Sequence, residues 1–327
     1  MRVSGYALVL GAGGFIGNHL VTRLKQEGYW VRGVDRVRPA FDCSVADDFV
    51  LTDLRDFAST TGVIDRPFDE VYQLAAEMGG AGYIFTGQHD FEIFQRSSRI
   101  NQNVVDALVR IPSDRVLFSS SACVYNQLKQ LPDVNFHCRE EDAYPAYPDS
   151  EYGWEKLFSE RLYTLLDGLG QTQARIIRFH NIYGPCGTWS GGREKAPAAI
   201  CRKVAEAEDG GVIDIWGDGS QIRSFLFIED ALDGMTRAMR SDVALPMNIG
   251  SDEFVSIRDL ADIAIEISGK QLRIQFVEGP TGVSARSSDN AFVTRSIGWL
   301  PRIGLREGLG RTYAWIEAQV SSISVTA

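Results

Sequence analysis

The sequence predicts an α/β fold built on a doubly wound parallel sheet, with a smaller α/β region towards the C-terminus. Two patterns support this class. The apolar run YALVL at 6–10 enters a glycine-rich turn, and a second run, YWVRGVD at 29–35, ends on an acid. Short apolar runs separated by helical patterns are typical of strands buried in a parallel sheet. A chain of 327 residues is long enough for one large domain or two coupled units.

The turn after the first strand has the spacing G-x-x-G-x-x-G. The first glycine permits a tight turn, the second lets the backbone approach a pyrophosphate, and the third lets the next helix pack close to the strand. Free N–H groups at the start of that helix favour an anion. This pattern predicts a dinucleotide-binding Rossmann sheet. The predicted cofactor contacts in the turn are Gly11, Gly14, Phe15, Ile16 and Gly17.

Asp35 follows Gly17 at the distance at which an acid holds the ribose hydroxyls of NAD. It should repel a 2′-phosphate, so NAD is favoured, whereas Arg36 beside it can accommodate that phosphate and keeps NADP as an alternative. The next two predicted strands end near Asp53, which could accept from the adenine amino group, and near two alanines that leave room for the cofactor. The predicted contacts on this side are Asp35, Arg36, Asp53, Leu54, Ala75 and Ala76.

A second chemical pattern is Tyr152-Gly-Trp-Glu-Lys156, which begins a predicted helix after the turn and cap signals of Asp149 and Ser150. Tyr152 and Lys156 are four residues apart and share one helix face. A phenol has an ordinary pKa of about 10, but a nearby ammonium and a positive nicotinamide ring favour the phenolate. Ser121, by its position at a strand end, would share the proton of the substrate hydroxyl. The pattern therefore predicts hydride removal from an alcohol carbon, with Tyr152 as the base and Lys156 on the nicotinamide ribose.

The composition argues against several other classes of protein. The net charge is −10, so the surface repels nucleic acid and anionic membranes, and an anionic substrate needs a local basic pocket. The five cysteines form no C-x-x-C pair, which argues against a disulfide framework or a zinc site. No apolar run approaches the roughly 20 residues of a membrane span, and the N-terminus lacks the features of a signal peptide. We expect a cytoplasmic protein without a metal.

Several longer stretches resemble the GDP-mannose 3,5-epimerases, a family of the extended short-chain dehydrogenase/reductase superfamily. They are LAAEMGGAGYI (74–84), SSACVY (120–125), RFHNIYGPCGTWSGGREKAPAAICRK (178–203), IWGDGSQIRSF (215–225) and NIGSDEFVS (248–256). The similarity runs over most of the chain, and the 178–203 stretch is long and unusual. The resemblance implies an isomerase that uses NAD to epimerise a nucleotide sugar, GDP-mannose in the family.

The family oxidises C4 of the hexose with bound NAD, epimerises C5 and C3, and returns the hydride. The C4 ketone acidifies the hydrogens on both adjacent carbons, and inversion then needs a proton-transfer group on each side of the ring. The resemblance assigns these roles to Cys123 of the SSAC motif and Lys195 of the GREKAP motif. Cations beside a thiol and desolvation of a lysine both lower the pKa, so both groups are expected to exchange protons near pH 7.

The resemblance also implies the substrate contacts Gly79, Ser120, Ser121, Cys123, Asn181, Glu194, Lys195, Ala196, Lys203, Gln221, Arg223 and Arg286. Among these, Lys203, Arg223 and Arg286 are expected to bind the diphosphate, because lysine and arginine neutralise phosphate oxygens. The chain departs from the family at Asn126-Gln127, where the family has Pro-Glu, and at Ser284, where an arginine is lost. These differences leave open another base, another hexose or epimerisation at a single carbon.

The expected domains are residues 1–180 and 225–252 for NAD and residues 181–224 and 253–327 for the nucleotide sugar. The cleft is expected between them, at the carboxyl ends of the strands. The superfamily implies a homodimer.

Two alternatives remain open from the sequence. A 4-epimerase of another nucleotide hexose needs no Cys/Lys pair, and a NAD-binding sensor would share the glycine turn but lose Tyr152 and Lys156. A 4,6-dehydratase is disfavoured, since Ala122-Cys123 stand where that class carries Asp-Glu.

Overall fold

The computed structural model describes residues 3–131 and 137–326, with side chains up to residue 322. The strands in these residues are β1 (Tyr6–Leu10), β2 (Trp30–Asp35), β3 (Asp48–Leu51), β4 (Glu70–Gln73), β5 (Arg115–Ser121), β6 (His137–Cys138), β7 (Gln173–Phe179), β8 (Ile182–Tyr183), β9 (Val212–Trp216), β10 (Ile222–Ser224), β11 (Leu226–Phe227), β12 (Met247–Ile249), β13 (Phe254–Ser256), β14 (Arg273–Val277) and β15 (Ala285–Ser288). The helices are α1 (Phe15–Gln26), α2 (Phe57–Val63), α3 (Ala81–Ile84), α4 (Asp90–Arg110), α5 (Glu151–Gly168), α6 (Ala196–Glu206), α7 (Ile228–Met239), α8 (Ile257–Ser268), α9 (Ala291–Ile297) and α10 (Leu305–Thr326).

Seven of the described strands form a parallel sheet in the order β12-β7-β5-β4-β1-β2-β3. β1 pairs with β2 on one side and with β4 on the other, so the direction of winding reverses beside β1. In open α/β sheets, ligands bind at the carboxyl ends of the strands next to such a reversal. The predicted doubly wound parallel sheet is confirmed.

Both faces of this sheet are buried, as β1 shows. Its Ala7 and Val9 belong to one apolar cluster, and the alternate residues Leu8 and Leu10 belong to another on the opposite face. The first cluster continues into α6, α8 and α10, so the core of the sheet and the C-terminal helices form one apolar unit. This continuity holds the smaller region firmly against the sheet.

The smaller region contains a parallel pair of strands, β9 and β14, and a four-stranded sheet in the order β13-β10-β15-β6. β6 does not follow the expected domain boundaries. It falls within residues 1–180 but pairs with β15 of the smaller region. The connection between β5 and α5 is long enough to reach across to that sheet. It therefore brings residues from both regions close to the end of β5.

No helix in the described part of the chain is long and apolar enough to cross a membrane. Among residues 3–131 and 137–326, no group of three or more His, Cys, Asp or Glu side chains could hold a metal ion.

Candidate active site

At Gly11 and Gly17 of the turn after β1, a side chain would not fit. Gly11 has a φ of +91°, and a Cβ there would lie 2.8 Å from the backbone nitrogen of Ala75. A Cβ at Gly17 would lie 2.0 Å from the carbonyl oxygen of Gly11, so its absence lets α1 pack on the turn. At Gly14 the nearest such atom is 3.4 Å away, which leaves the backbone open to a ligand.

The N-terminus of α1 fits the pyrophosphate of a dinucleotide. Gly14 precedes the helix, and no side chain caps the first turn or places an acid in it. The first N–H groups of a helix have no partner within the helix and attract an anion. Phe15 and Ile16, both half-buried, begin the helix beside this point.

Asp35 lies at the end of β2, beside the glycine turn. Its carboxylate accepts from the backbone N–H of Gly13 at 2.9 Å, of Arg36 at 2.6 Å and of Val37 at 3.2 Å. A Cβ at Gly13 would lie 2.1 Å from the Val37 carbonyl oxygen. Gly13 was missed by the sequence prediction, although the doubled glycine was a visible signal.

The other predicted contacts on the adenosine side have partners of their own. The Arg36 guanidinium lies 3.7 Å from the Glu77 carboxylate. The Asp53 carboxylate accepts from the Arg55 guanidinium at 2.5 Å, and this hydrogen bond lowers the pKa of Asp53. An adenine amino group would therefore share Asp53 with that arginine. Leu54 is 4% exposed.

The segment after β4 runs beside the glycine turn, since a Cβ at Gly11 would lie 2.8 Å from the Ala75 nitrogen. Ala75 and Ala76 are half-buried there. The Gln73 side chain donates to the carbonyl of Ala75 at 3.0 Å and accepts from its N–H at 3.2 Å, which keeps the backbone extended. Contact of Ala75 and Ala76 with the cofactor stays a prediction.

Helix α5 carries Tyr152 and Lys156, and Ser150 caps it by accepting from the N–H of Gly153 at 3.2 Å, which confirms the predicted cap. The Lys156 Nζ donates to the carbonyl of Ser119 at 3.0 Å and lies 5.6 Å from the centre of the Tyr152 ring. The Ser121 hydroxyl interacts with the Tyr152 phenol. The structure thus brings Tyr152, Lys156 and Ser121 together.

Burial dominates the ionisation of this group. It raises the pKa of the Tyr152 phenol well above its ordinary value, and the hydrogen bond with Ser121 offsets only part of this. It also lowers the pKa of the Lys156 ammonium. A phenolate therefore needs further positive charge beside Tyr152, which an oxidised nicotinamide ring supplies when bound.

Cys123 lies in the short 3-10 turn that follows β5, and it is 9% exposed. Its sulfur accepts from the Arg286 NH1 group at 3.4 Å. Its backbone supports the catalytic helix, because a Cβ at Gly153 would lie 2.2 Å from the Cys123 carbonyl oxygen. Tyr152, the residue before Gly153, is therefore held close to the thiol.

Lys195 ends a glycine-rich loop and directly precedes α6. The loop is anchored on the segment after β4, because the Gly80 N–H donates to the Arg193 carbonyl at 2.9 Å. The Arg193 guanidinium also donates to the buried Glu77 carboxylate at 3.2 Å. The charge of Lys195 interacts with Cys123. The two predicted proton carriers are therefore close enough for their charges to interact.

The pKa shifts of these two carriers have opposite directions. Burial lowers the pKa of Lys195, as expected. Burial raises the pKa of Cys123, and Asp149 raises it further, while Arg286 and Ser121 lower it. The expected lowering of the Cys123 pKa is therefore wrong for this structure, because desolvation and the Asp149 charge outweigh the neighbouring cation.

Arg286 does not fit its expected role as a diphosphate ligand. Its side chain is 6% exposed, and its guanidinium donates to Gln130, to the Cys123 sulfur and to the Asp149 carboxylate. Since each of its three nitrogens already has a partner, a phosphate could bind it only by displacing one of them.

Arg223 and Lys203 are better placed for an anion. Arg223 donates to the backbone carbonyls of Thr281 and Val283, and no ion pair with a carboxylate involves it in the described residues. Burial lowers its pKa to about 10, as expected for a cation without a counter-ion. The Lys203 Nζ donates to the carbonyl of Asp214 at 2.6 Å and remains partly exposed.

Ser120 points away from the other site residues. Its hydroxyl donates to Glu160 at 2.6 Å, and it is 3% exposed. Successive side chains of a strand alternate between the two faces, so Ser119 and Ser121 face the site and Ser120 faces the core. The Ser120 side chain is therefore engaged in the core, and a substrate contact through it stays a prediction that this arrangement does not favour.

The remaining predicted contacts lie around the cleft. Asn181 has a φ of +48° and donates to the Ser224 carbonyl at 2.9 Å, which holds an unusual backbone in place. The other four predicted contacts have the following neighbours. Gly79 packs on Tyr83, and Glu194 pairs with Arg202. Ala196 begins α6, and Gln221 donates to Asp218.

Three further residues shape the site without having been predicted as functional: Asp149, Glu77 and Arg193. Asp149 was noted only as a turn signal before α5. Glu77 had a visible signal, because an acid within the apolar stretch LAAEMGG needs a buried partner. Its partners are Tyr83 and three arginines, of which Arg193 is far away along the chain.

Comparisons with known proteins agree with this geometry. The model of the NAD dependent epimerase/dehydratase family matches residues 7–250. GDP-mannose 3,5-epimerase from Arabidopsis thaliana is 42% identical over 314 residues, which cover 95% of this chain and 82% of that protein. A dTDP-4-dehydro-6-deoxy-D-allose reductase from a Streptomyces species is 31% identical over 320 residues, covering 94% of this chain and 95% of that protein.

A solved structure shows the same fold. UDP-glucuronic acid 4-epimerase from Bacillus cereus, in complex with UDP-glucuronic acid and NAD, has a TM-score of 0.81 at 25% identity, covering 96% of this chain and 99% of the other. The glycine turn, the uncapped α1 and Asp35 fit NAD, the cofactor of the matching family. The chain therefore belongs to the NAD dependent epimerase/dehydratase family and, within it, to the group that holds the GDP-mannose 3,5-epimerases.

Proposed function

We propose that this enzyme epimerises GDP-mannose at C3, C5 or both through a transient 4-keto sugar. One observation carries the proposal: Cys123 packs with Tyr152 in one buried cluster, and the charge of Lys195, from a distant part of the chain, acts on Cys123. Hydride transfer at C4 alone needs only the tyrosine. A thiol and an amine beside it supply the second kind of chemistry, proton exchange at a carbon next to the ketone.

Tyr152 acts first in this scheme by accepting the proton of the C4 hydroxyl, through or alongside Ser121. NAD, when bound, would supply the acceptor and the donor for the C4 hydride. Lys156 holds the nicotinamide ribose, and its charge favours the phenolate. Because burial raises the pKa of Tyr152, its phenolate is a strong base towards the C4 hydroxyl, and the phenol that results returns this proton to the C4 oxygen in the final reduction.

Cys123 and Lys195 exchange protons with the ketone between these two hydride steps. One removes the hydrogen from the carbon, whose electron pair moves towards the C4 oxygen, and the other protonates the opposite face. The turn after β5 and the Lys195 loop, which is hydrogen-bonded to Gly80, position the two groups around the sugar. Such positioning contributes much of the advantage of a bound reaction over one in solution.

The nucleotide diphosphate is proposed to lie against the smaller region. Arg223, with Lys203, supplies the positive charge that an acidic protein needs there. A groove lined by Gln221, Thr281 and neighbouring residues borders Arg223 and would hold the base. In this proposal, residues 181–224 and 253–327 bind the nucleotide sugar, and the parallel sheet binds NAD.

A cytoplasmic homodimer completes the proposal. The five cysteines are free thiols, as in a reducing compartment. Helix α5 exposes Trp154, Phe158 and Leu165 on its outer side, and Phe91 of α4 is 77% exposed. Large exposed apolar side chains on two packed helices are typical of an interface between subunits.

The test is to incubate the enzyme and NAD with GDP-mannose in heavy water and to follow C3 and C5 by NMR. We expect deuterium at one or both carbons together with an epimeric product. In Tyr152→Phe both should fall by roughly 100- to 10,000-fold, the usual contribution of a general acid–base group. No deuterium at either carbon would overturn the proposal, and inversion at C4 alone would make the enzyme a 4-epimerase.

A further inference from the structure

Asp149 connects the catalytic helix to the Cys123 thiol. Its side chain is 3% exposed. One carboxylate oxygen accepts from the Ser150 hydroxyl at 2.8 Å, and Ser150 caps α5. The other accepts from Arg286 at 2.5 Å, and Arg286 donates to the Cys123 sulfur. A single buried carboxylate therefore joins the start of α5, β15 and the turn after β5.

The orientation of the Arg286 guanidinium is fixed from both sides. Its Nε donates to the Gln130 side chain, and one terminal nitrogen donates to Asp149. A planar guanidinium held at two edges has little freedom to rotate. Its remaining nitrogen, NH1, then lies 3.4 Å from the Cys123 sulfur.

Cations outnumber carboxylates among the charged groups that act on Cys123. The charged and titratable groups that interact with its sulfur are Arg286, Asp149, Tyr152, Lys156, Lys195 and Arg223. Four of these are cations, and Asp149 is the carboxylate among them. Asp149 raises the pKa of Cys123, in addition to the larger effect of burial. It therefore offsets the nearest cation.

We propose that Asp149 is a positioning residue for proton transfer at Cys123: it holds Arg286 against the sulfur and neutralises that guanidinium, so that Cys123 rests as a neutral thiol. The inference rests on the proposed function, because it assigns Cys123 one half of the proton exchange. At the carbon where Lys195 acts as the base, Cys123 is then the acid.

The proton balance of that step is simple. The C–H bond beside the ketone breaks, its proton moves to the Lys195 amine, and its electron pair forms the enolate. The S–H bond of Cys123 then breaks, its proton goes to the opposite face of the carbon, and the thiolate is left beside Arg286. Proton exchange with water resets both groups, which is how deuterium enters in heavy water.

The first measurement needs no substrate. The rate of Cys123 alkylation by iodoacetamide is followed against pH, with each cysteine resolved by peptide mass spectrometry. In the wild-type protein, the alkylation rate of Cys123 should rise only above the ordinary thiol pKa of about 8.5. The exposed Cys43 serves as the internal reference. Thiolate reactivity of Cys123 already at pH 7 would overturn the inference.

The variant Asp149→Asn removes the charge but keeps an oxygen that can accept from Arg286. We expect Cys123 alkylation at pH 7 to rise about tenfold, because removing a nearby like charge lowers a pKa by about one unit. The kcat for epimerisation should fall by a similar factor at neutral pH, with its optimum at lower pH and KM unchanged. Asp149→Glu, which restores the charge, should recover the wild-type pH profile.

Asp142→Asn is the matched control, since Asp142 is a largely buried aspartate that pairs with Lys129 in the same connection. It should leave Cys123 alkylation unchanged. If Asp149→Asn leaves the alkylation profile unchanged while epimerisation continues, the role of Asp149 is wrong and the proposed function stands. If the pH profile of alkylation shifts as expected but no sugar carbon exchanges its hydrogen, the effect of Asp149 on Cys123 stands and the proposed function fails.

Discussion

Cys123 and Lys195 face one site, but the structure holds them in different ways. Cys123 follows directly from β5 and lies against Arg286 on β15. The Arg286–Asp149 ion pair beside it is buried, with side chains 6% and 3% exposed. Every group that touches the thiol is thus fixed to a strand or to the start of a helix.

Lys195 lies on a loop that is held in place by the carboxylate of Glu77, which also binds other arginines. The loop is tied to Glu77 through Arg193, which is 50% exposed. Glu77 is 5% exposed and pairs with two more arginines, Arg36 and Arg96. A carboxylate with three partly exposed partners can lose one of them and keep the others.

These contacts make the position of Cys123 rigid and the position of Lys195 adjustable. Breaking a buried pair leaves an uncompensated charge, which costs roughly 3–5 kcal/mol, whereas exposed pairs contribute about 0–1 kcal/mol. We therefore expect the thiol side of the site to be fully formed before substrate binds. The amine side can adapt its loop to the sugar.

The largest expected effect is on the chemistry itself. Cys123→Ala and Lys195→Met should each lower formation of the epimeric product by roughly 100- to 10,000-fold, because each removes one proton carrier. Product formation is measured by NMR with GDP-mannose and NAD. Cys43→Ala, at an exposed cysteine away from the site, should keep the wild-type rate. Wild-type product formation in either site variant would contradict the pairing of the two carriers.

The next largest effect tests the rigid side. Arg286→Met leaves Asp149 buried without its cation, so the free energy of unfolding should fall by about 3–5 kcal/mol. The measurement is urea denaturation followed by circular dichroism. Arg306→Met is the matched control, because Arg306 is 63% exposed and pairs with Glu266 at the surface. Equal midpoints for the two variants would show that the buried pair is no more stabilising than the exposed one.

The smallest effect tests the adjustable side. Burial alone would raise the pKa of Glu77, but the hydrogen bonds from Tyr83 and the arginines lower it below its ordinary value of 4.5. A lowered pKa in the folded state contributes stability above pH 4.5 that is lost as the pH falls through the folded value. Glu77→Gln should therefore lower the free energy of unfolding by about 1–3 kcal/mol at pH 7.

The difference between Glu77→Gln and the wild type should then shrink as the pH falls below 4.5, measured by urea denaturation at several pH values. Arg193→Ala should cost less than Glu77→Gln, because two arginines remain on the acid. A difference between Glu77→Gln and the wild type that stays constant down to pH 3 would contradict the charged role of Glu77.

The local parts of this site could be read from the sequence. The glycine turn, Asp35 and the Tyr152–Lys156 spacing depend on neighbours within one strand–turn–helix unit or one helix face. The three serines before Cys123 show the limit. Their alternation was readable, but which of them faces the core depends on the register of β5 against β4 and β7.

Long-range ion pairs could not be predicted at all. Asp149 and Arg286 are 137 positions apart, and only the folded chain places them in contact. For this reason Arg286 was assigned to phosphate from its residue type, and Cys123 was assigned a lowered pKa. Asp149 contributes to both differences: it occupies the guanidinium of Arg286, and together with the larger effect of burial it raises the pKa of Cys123.

Gly153 has a consequence for how this enzyme can change over evolution. Its missing side chain lets α5 rest on the carbonyl of Cys123, so the distance between the phenol and the thiol is set by backbone against backbone. Substitutions elsewhere in the site can alter which sugar is bound or which group carries a proton. Any side chain at position 153 would push Tyr152 and Cys123 apart. Hydride transfer and proton exchange would then no longer be aligned on the same sugar. New activities in this lineage must therefore arise around an unchanged spacing between hydride chemistry and proton chemistry.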